Sequence, residues 1–330
     1  MYTGELISLT VAISWTVCAM FAEVASKRMG ALPFNMVRMF FSIAILSVVL
    51  WWWTGSPYPV GADSDTWLWL SLSGLVGYVF GDFCLFNSYI LIGSRYGQLL
   101  MTLAPPAAAL FGFVLLGQQM SWLALLGMAI TMVGIGMVLL KPLSPLKIGE
   151  MEPSAISHQP LHSLKERTYT RGILFGIAAA MGQGIGLVLS AKGLLHYNEI
   201  IIASGMDFRN GGEIAFVLPF AATAIRAITG LFGFSLWTTA VGELGKFRSA
   251  LCDGRGMLFA IGAILTGPVV GVSLSLMATL YTSTGIAQTI MATTPVMILL
   301  PTFLFFHQRI TWNEVLGAIL SVCGVALFFV

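Results

Sequence analysis

Residues 68–140 can be laid over residues 258–330 at a constant offset of 190 with no gap. The coincidences fall on residues that shape helices rather than on bulk apolar positions. Gly77 and Gly81 land on Gly267 and Gly271, Gln98 on Gln288, and Pro105 on Pro295. Further along, Gln118 meets Gln308, Trp122 meets Trp312, and Gly127 and Gly134 meet Gly317 and Gly324. The chain therefore reads as a duplicated unit, and a repeat of this length constrains architecture more than any single residue does.

Composition sets the solvent. The chain is 57% apolar and 9% charged, with a mean hydropathy of +0.89, far from the roughly one-quarter charge of soluble domains. It reads as an all-α integral membrane protein whose partner is the lipid bilayer. The sixteen Lys and Arg lie almost wholly between apolar runs and the net charge is only +2, so no basic stripe exists to track nucleic acid. Cys18, Cys84, Cys252 and Cys323 are too scattered for a disulfide framework or a metal-binding pair. No metal or cofactor motif is expected.

A helix needs about 20 apolar residues to cross a bilayer. Ten runs qualify, at about 6–25, 34–54, 66–92, 96–117, 121–140, 172–195, 215–241, 256–281, 285–306 and 311–330. The first has no basic residue before it and no small-residue cleavage pattern after it, so it reads as a span rather than a signal peptide. The polar stretch 141–171 separates five runs from five. This divides the chain into a first repeat, 1–140, a linker, 141–171, and a second repeat, 172–330.

Five is odd, so the second copy must enter the membrane upside down relative to the first. A 5+5 inverted-topology repeat is an architecture found mainly in carriers, because two antiparallel copies can rock about a shared midplane site. Pro105 and Pro295, about ten residues into spans four and nine, are expected to break those helices near that site or to kink them for packing.

The ten spans carry further matching features. Pro33, Phe34 and Arg38 open span two, Pro219, Phe220 and Arg226 open span seven, and "SRYGQLLMTLAPPAAALFGFVLLGQQMSWLALLG" covers spans four and five. With these the chain resembles the EamA-type transporters of the drug/metabolite transporter superfamily. The resemblance implies a secondary transporter of small metabolites, often an exporter, with amino acids as the default cargo. One departure is that Gln118 and Gln308 stand where the family commonly has Glu, and His307 stands where the first copy has Gly117.

Ionisable groups inside spans are costly unless paired or wet. Asp82 is the deepest, and its repeat counterpart is Val272. It is expected either to couple transport to a proton or to be hydrogen-bonded to neighbouring helices, through Asn87 or Tyr89. Arg38 and Arg226 are expected either to draw an anionic group into a central cavity or to snorkel to the interface. Glu23 and Lys27, four apart, are expected to pair with each other. Gln98 and Gln288, with Thr102 and Thr294 nearby, offer amides and hydroxyls to a polar solute or, alternatively, to one another's helices. The GxxxG pairs read as packing.

Thirteen Lys and Arg flank the odd-numbered connections and three the even-numbered ones. The positive-inside rule then puts both termini outside the cytoplasm, although the family usually keeps them inside. Two rivals to a carrier in the cytoplasmic membrane are a passive channel and an intramembrane aspartyl protease built on Gly81-Asp82. The first lacks a charged ring or carbonyl filter. The second lacks a second deep carboxylate. The solute, coupling ion and oligomeric state are not written in the sequence.

Overall fold

In a computed structural model of the chain, residues 3–116, 121–139, 161–205, 214–281, 287, 290–306 and 310–328 are described. Among them every regular element is helical and there is no strand. Six helices are long and apolar enough to cross a membrane: Thr3–Met29, Ala31–Thr54, Ser64–Phe111, Arg167–Ser204, Phe216–Val241 and Gly254–Ala278. Three shorter apolar helices, Leu125–Val138, Thr294–Leu304 and Trp312–Leu327, complete the set. With Ser64–Phe111 supplying two, these account for the ten runs. Outward faces carry large apolar side chains such as Leu6, Phe232 and Leu258, at 64%, 70% and 68% exposure. In a water-soluble protein such a surface would aggregate, whereas lipid accepts it.

Helix α1 (Thr3–Met29) and α2 (Ala31–Thr54) are joined by Gly30 alone, at φ 85° and ψ 156°. α3 (Ser64–Ser73) continues through a π-helical segment, Gly74–Asp82, into α4 (Phe83–Leu100), which turns back at Gly93 with φ 85° and ψ 160°. Both tight reversals use a backbone region essentially reserved for glycine. That α4 doubles back is plain from Gly97, whose missing Cβ would sit 2.5 Å from the Tyr89 ring eight residues earlier. A 3-10 turn at Met101–Leu103 leads into α5 (Ala104–Leu116), and α6 (Trp122–Leu139) follows.

The second half begins with α7 (Leu161–Ser204), which takes in the last eleven residues of the stretch read as linker. α8 (Ile214–Val241), the short α9 (Leu244–Cys252) and α10 (Gly254–Ile264) come next. α10 runs through a second π-helical segment, Leu265–Val272, into α11 (Ser273–Tyr281). α12 (Thr294–Met297), α13 (Leu299–Phe306) and α14 (Trp312–Phe328) close the chain. The second π segment falls on the first at the repeat offset, within one residue at its start. The turned residues before Thr294 likewise correspond to the 3-10 turn before Ala104.

Packing follows the glycines. Ser73 donates to the Gly186 carbonyl at 2.7 Å, and a Cβ on Gly186 would come within 3.0 Å of Gly77 Cα, so α7 lies backbone to backbone on the first π segment. On the second, Ser14 of α1 donates to the Thr266 carbonyl at 2.7 Å, and Cβ atoms on Gly267 and Gly271 would strike Cys18 and Trp15. Each half thus lends its first helix to the other half.

The contact between α6 and α14 is more telling. A Cβ on Gly134 would sit 2.7 Å from the Gly317 carbonyl, and one on Gly324 would sit 2.6 Å from the Gly127 carbonyl. Between them, Thr131 donates to the Ser321 carbonyl at 3.3 Å and Ser321 to that of Thr131 at 3.4 Å. Adding 190 to the lower member of each pair and subtracting it from the higher returns the same set of contacts. Low numbers on one helix meet high numbers on the other, so the two helices cross antiparallel in a self-complementary contact.

Gly93→Ala should cost about 1–3 kcal/mol, because alanine must be held in that strained region. Thermal unfolding in detergent should register the loss. Gly245→Ala, with nothing within 4 Å of the added Cβ, should not lower the transition.

Candidate functional site

Where the two π segments and the two turned prolines converge, the helices leave a cavity of about 190 Å³. Its walls come from α1, α2, both π segments, α4, α5, α7, α8, α11 and α12, and thus from both halves. α6 and α14 take no part in it.

Asp82 is the last residue of the first π segment and faces this cavity at 4% exposure. A π turn displaces a side chain from the register of an ordinary α-helix, and such segments recur at functional sites. The Asp82 carboxylate is held on both oxygens. Arg38 donates its Nη2 to Oδ2, and Gln183 donates its Nε2 to Oδ1 at 2.6 Å and to the Gly77 carbonyl at 3.1 Å. Arg38 also donates to Asn35 at 3.1 Å, and its guanidinium lies 4.8 Å from the Phe86 ring centroid. Neither partner proposed from sequence reaches Asp82. Asn87 donates to the Phe83 carbonyl, and the Tyr89 hydroxyl accepts from Gln98 at 2.6 Å. The actual partners are 44 and 101 residues away in sequence, where local periodicity gives no hint.

Arg226 enters from α8. Like Arg38 it is 5% exposed and lines the cavity, so neither snorkels to an interface. Its guanidinium lies 4.5 Å from the Tyr78 ring centroid and crosses above Gly77, whose added Cβ would sit 3.2 Å from Nη2. Among the described residues it has no carboxylate partner. Asp82 is the sole acidic residue among those lining the cavity, so the fixed charges are two guanidiniums against one carboxylate.

Gln98, Thr102, Pro105, Thr294 and Pro295 all line the same space. The two threonine hydroxyls are committed to their own helices, Thr102 to the Leu99 carbonyl and Thr294 to that of Met291. Gln288, Gln118, Gln308, Gly117 and His307 lie outside the described residues. Sequence reasoning missed Tyr78 and Gln183, and named Tyr89 only as a partner for Asp82. For Gln183 a signal existed, since it is a lone amide in the apolar run 172–195.

At the end of the bundle where α1 meets α2, polar side chains close the structure. Glu23 accepts from Lys27 at 2.6 Å, as its spacing predicted, and also from the Ser94 backbone N–H at 2.7 Å beside the Gly93 turn. Arg95 pairs with Glu314 at 3.1 Å, and Glu314 accepts from Tyr96 and from the Thr311 N–H that opens α14. Arg28 forks onto both oxygens of Asp253 at 2.8 Å. At the opposite end, Asp63, Asp65 and His196 cluster. Both Asp63 oxygens are already committed, one accepting from the Thr66 N–H at 2.9 Å and the other 3.0 Å from His196 Nε2. The Thr66 bonds first, then His196, pull the Asp63 carboxyl down to about 2.

A model of the EamA-like transporter family matches residues 2–140 and again residues 212–330, leaving all of α7 outside both matches. No curated protein matches the chain. Among solved structures, one titled only as the crystal structure of a protein shares the fold, with a TM-score of 0.52 at 18% identity over 99% of this chain and 96% of that one.

Arg38→Met strands a buried carboxylate and should destabilise the protein by about 3–5 kcal/mol, whereas Arg38→Met with Asp82→Leu should recover most of that. Thermal unfolding of both variants in detergent is the measurement. A folded-state pKa of about 2 for Asp63, below its ordinary 3.8, means stability present above pH 3.8 and lost as pH falls through about 2. Asp63→Ala should remove the part of the acid-unfolding slope in that window.

Proposed function

The chain belongs to the EamA-like transporter family of the drug/metabolite transporter superfamily, and from that premise we propose a secondary carrier of small polar metabolites working by alternating access. The observation that carries this reading is the cavity itself, walled by both halves at the point where paired π segments and paired prolines meet. Broken helices expose backbone groups only where they line a cavity, which is where carriers bind cargo. Two halves of 1–140 and 172–330, joined by a linker at 141–171, form a 5+5 inverted repeat on this reading. The antiparallel, self-complementary α6–α14 contact and the double family match both support it.

Transport runs outward across the cytoplasmic membrane, with amino acids the cargo that the family resemblance implies. Asp82 binds and releases a proton as its bonds to Arg38 and Gln183 open and re-form during the cycle, coupling flux to the proton gradient. The odd-numbered connections face the cytoplasm. The Arg28–Asp253 and Arg95–Glu314 pairs support their lying at one end, because they join the connections after spans one, three, seven and nine. A channel would need a continuous pore, yet the apolar walls and the closing ion pairs favour a carrier.

Purified protein in proteoliposomes should give saturable counterflow of its solute, and non-saturable flux would indicate a channel instead. Asp82→Asn should abolish gradient-driven flux while sparing exchange; unchanged gradient-driven flux would remove Asp82 from coupling. Cys252 is exposed on a connection assigned to the cytoplasm. In a variant keeping Cys252 alone, impermeant maleimide should label only permeabilised cells, and labelling of intact cells would reverse the orientation.

A further inference from the structure

The carrier reading leaves cargo chemistry open, and the cavity's charge balance narrows it. We propose that the solute is a small organic monoanion whose carboxylate is bound by Arg226 and the Tyr78 hydroxyl, with its apolar body against Leu276 and Met291. The proposal rests on the carrier reading for the site but makes a separate claim about what the site recognises.

Three observations point to a ligand. First, Arg226 is a buried guanidinium with no carboxylate partner among the described residues, and its Nε has no hydrogen-bond acceptor. A lone cation in an apolar interior is costly and persists where a function requires it. Second, the Tyr78 hydroxyl is buried and equally unpartnered, and Tyr78 and Arg226 both line the cavity. Hydrogen-bond donors of a cation and a hydroxyl side by side suit the oxygens of one carboxylate. Third, Gly77 lies beneath the Arg226 head, where a methyl group would sit 3.2 Å from Nη2. The first π segment thus gives up a side chain where the guanidinium passes.

Charge decides between classes of anion. Asp82 neutralises one guanidinium through Arg38, which leaves one positive charge uncompensated in the cavity. A monoanion brings the total to zero. A zwitterionic amino acid brings its own ammonium, for which no free carboxylate lines the cavity, since both Asp82 oxygens are engaged. A dianion overshoots by one charge, and a neutral solute leaves Arg226 unmet. Within this proposal, monocarboxylates that fit a cavity of about 190 Å³ take the place of the amino acids that the family resemblance implies.

Four probes with the same six-carbon chain separate these cases: hexanoate, hexanamide, hexylamine and norleucine, with inorganic phosphate as a fifth. Binding is read by thermal stabilisation of the full chain in detergent, and movement by counterflow in proteoliposomes. Hexanoate should stabilise the wild type and move saturably, ahead of the other four. Arg226→Gln should weaken hexanoate binding at least about thirtyfold, as loss of one partner from a buried charged contact requires, and Arg226→Lys should retain part of it. Because the Tyr78 ring is the one side-chain partner Arg226 has among the described residues, and its unmet buried charge is itself costly, the ligand-free stability of Arg226→Gln should not fall. A fall would assign the residue a structural role and overturn the proposal. Norleucine, hexanamide or phosphate binding as well as hexanoate would overturn it too, as would hexanoate binding that survives Arg226→Gln. The carrier reading fails separately: it falls if hexanoate binds through Arg226 yet no saturable flux of any solute is found, and it survives if a neutral or zwitterionic solute moves instead.

Discussion

Helix backbones in this protein touch. In lipid no water is released when apolar side chains leave it for one another, so helices associate through close packing and interhelical hydrogen bonds, and small residues make both available. Gly186 against Gly77, and Gly134 against Gly317, bring main chains to distances at which a single methyl group would collide. The serine and threonine hydroxyls at these crossings bond to carbonyls of the facing helix. Each such bond is worth about 0.6 kcal/mol, so it is the number of crossings and their backbone fit that hold the bundle.

Tight crossings at some places are what permit a hollow at another. α1 sits on the second π segment and α7 on the first, so each half is braced by the other on either side of the cavity. The Gly30 and Gly93 reversals take one residue each and leave little slack at that end. Glu23 seats itself on the Ser94 N–H beside one of them, so a carboxylate that looks in sequence like half of an i,i+4 pair also caps a helix. On the carrier reading, opening this end would exchange ion pairs such as Arg28–Asp253 and Arg95–Glu314 for water, at modest cost for the more exposed of the two.

Much of this was legible in sequence because it depends on spacing. The offset of 190 marked which glycines recur in the two copies, and several of these sit at close helix crossings, while the paired prolines marked the places where spans four and nine lose regular helix. Asp82, Arg38 and Arg226 were recognisable as expensive residues, and all three face one cavity. What stayed hidden depends on rotation about helix axes and on contacts between distant segments. The π segments shift the register by which Asp82 is aimed, and hydrophobic periodicity does not distinguish a π turn from an α turn. That shift is why Gln183 and Arg38, rather than Asn87 and Tyr89, reach the carboxylate. Tyr78 was invisible for the opposite reason, since an aromatic in an apolar run carries no mark of the two guanidiniums around it.

Repetition also has a limit at the centre. Arg38 on α2 and Arg226 on α8 both face the cavity, and a second carboxylate at 272 would bring its fixed charges into balance. Val272 stands there instead. A saturated cavity of two closed ion pairs would offer a solute nothing it could not find in water, and prying one apart would cost more than binding returns. On the carrier reading proposed above, one closed pair and one unmatched guanidinium leave a single charge for cargo to satisfy. On that reading the asymmetry at 82 and 272 is where a shared architecture becomes a particular specificity.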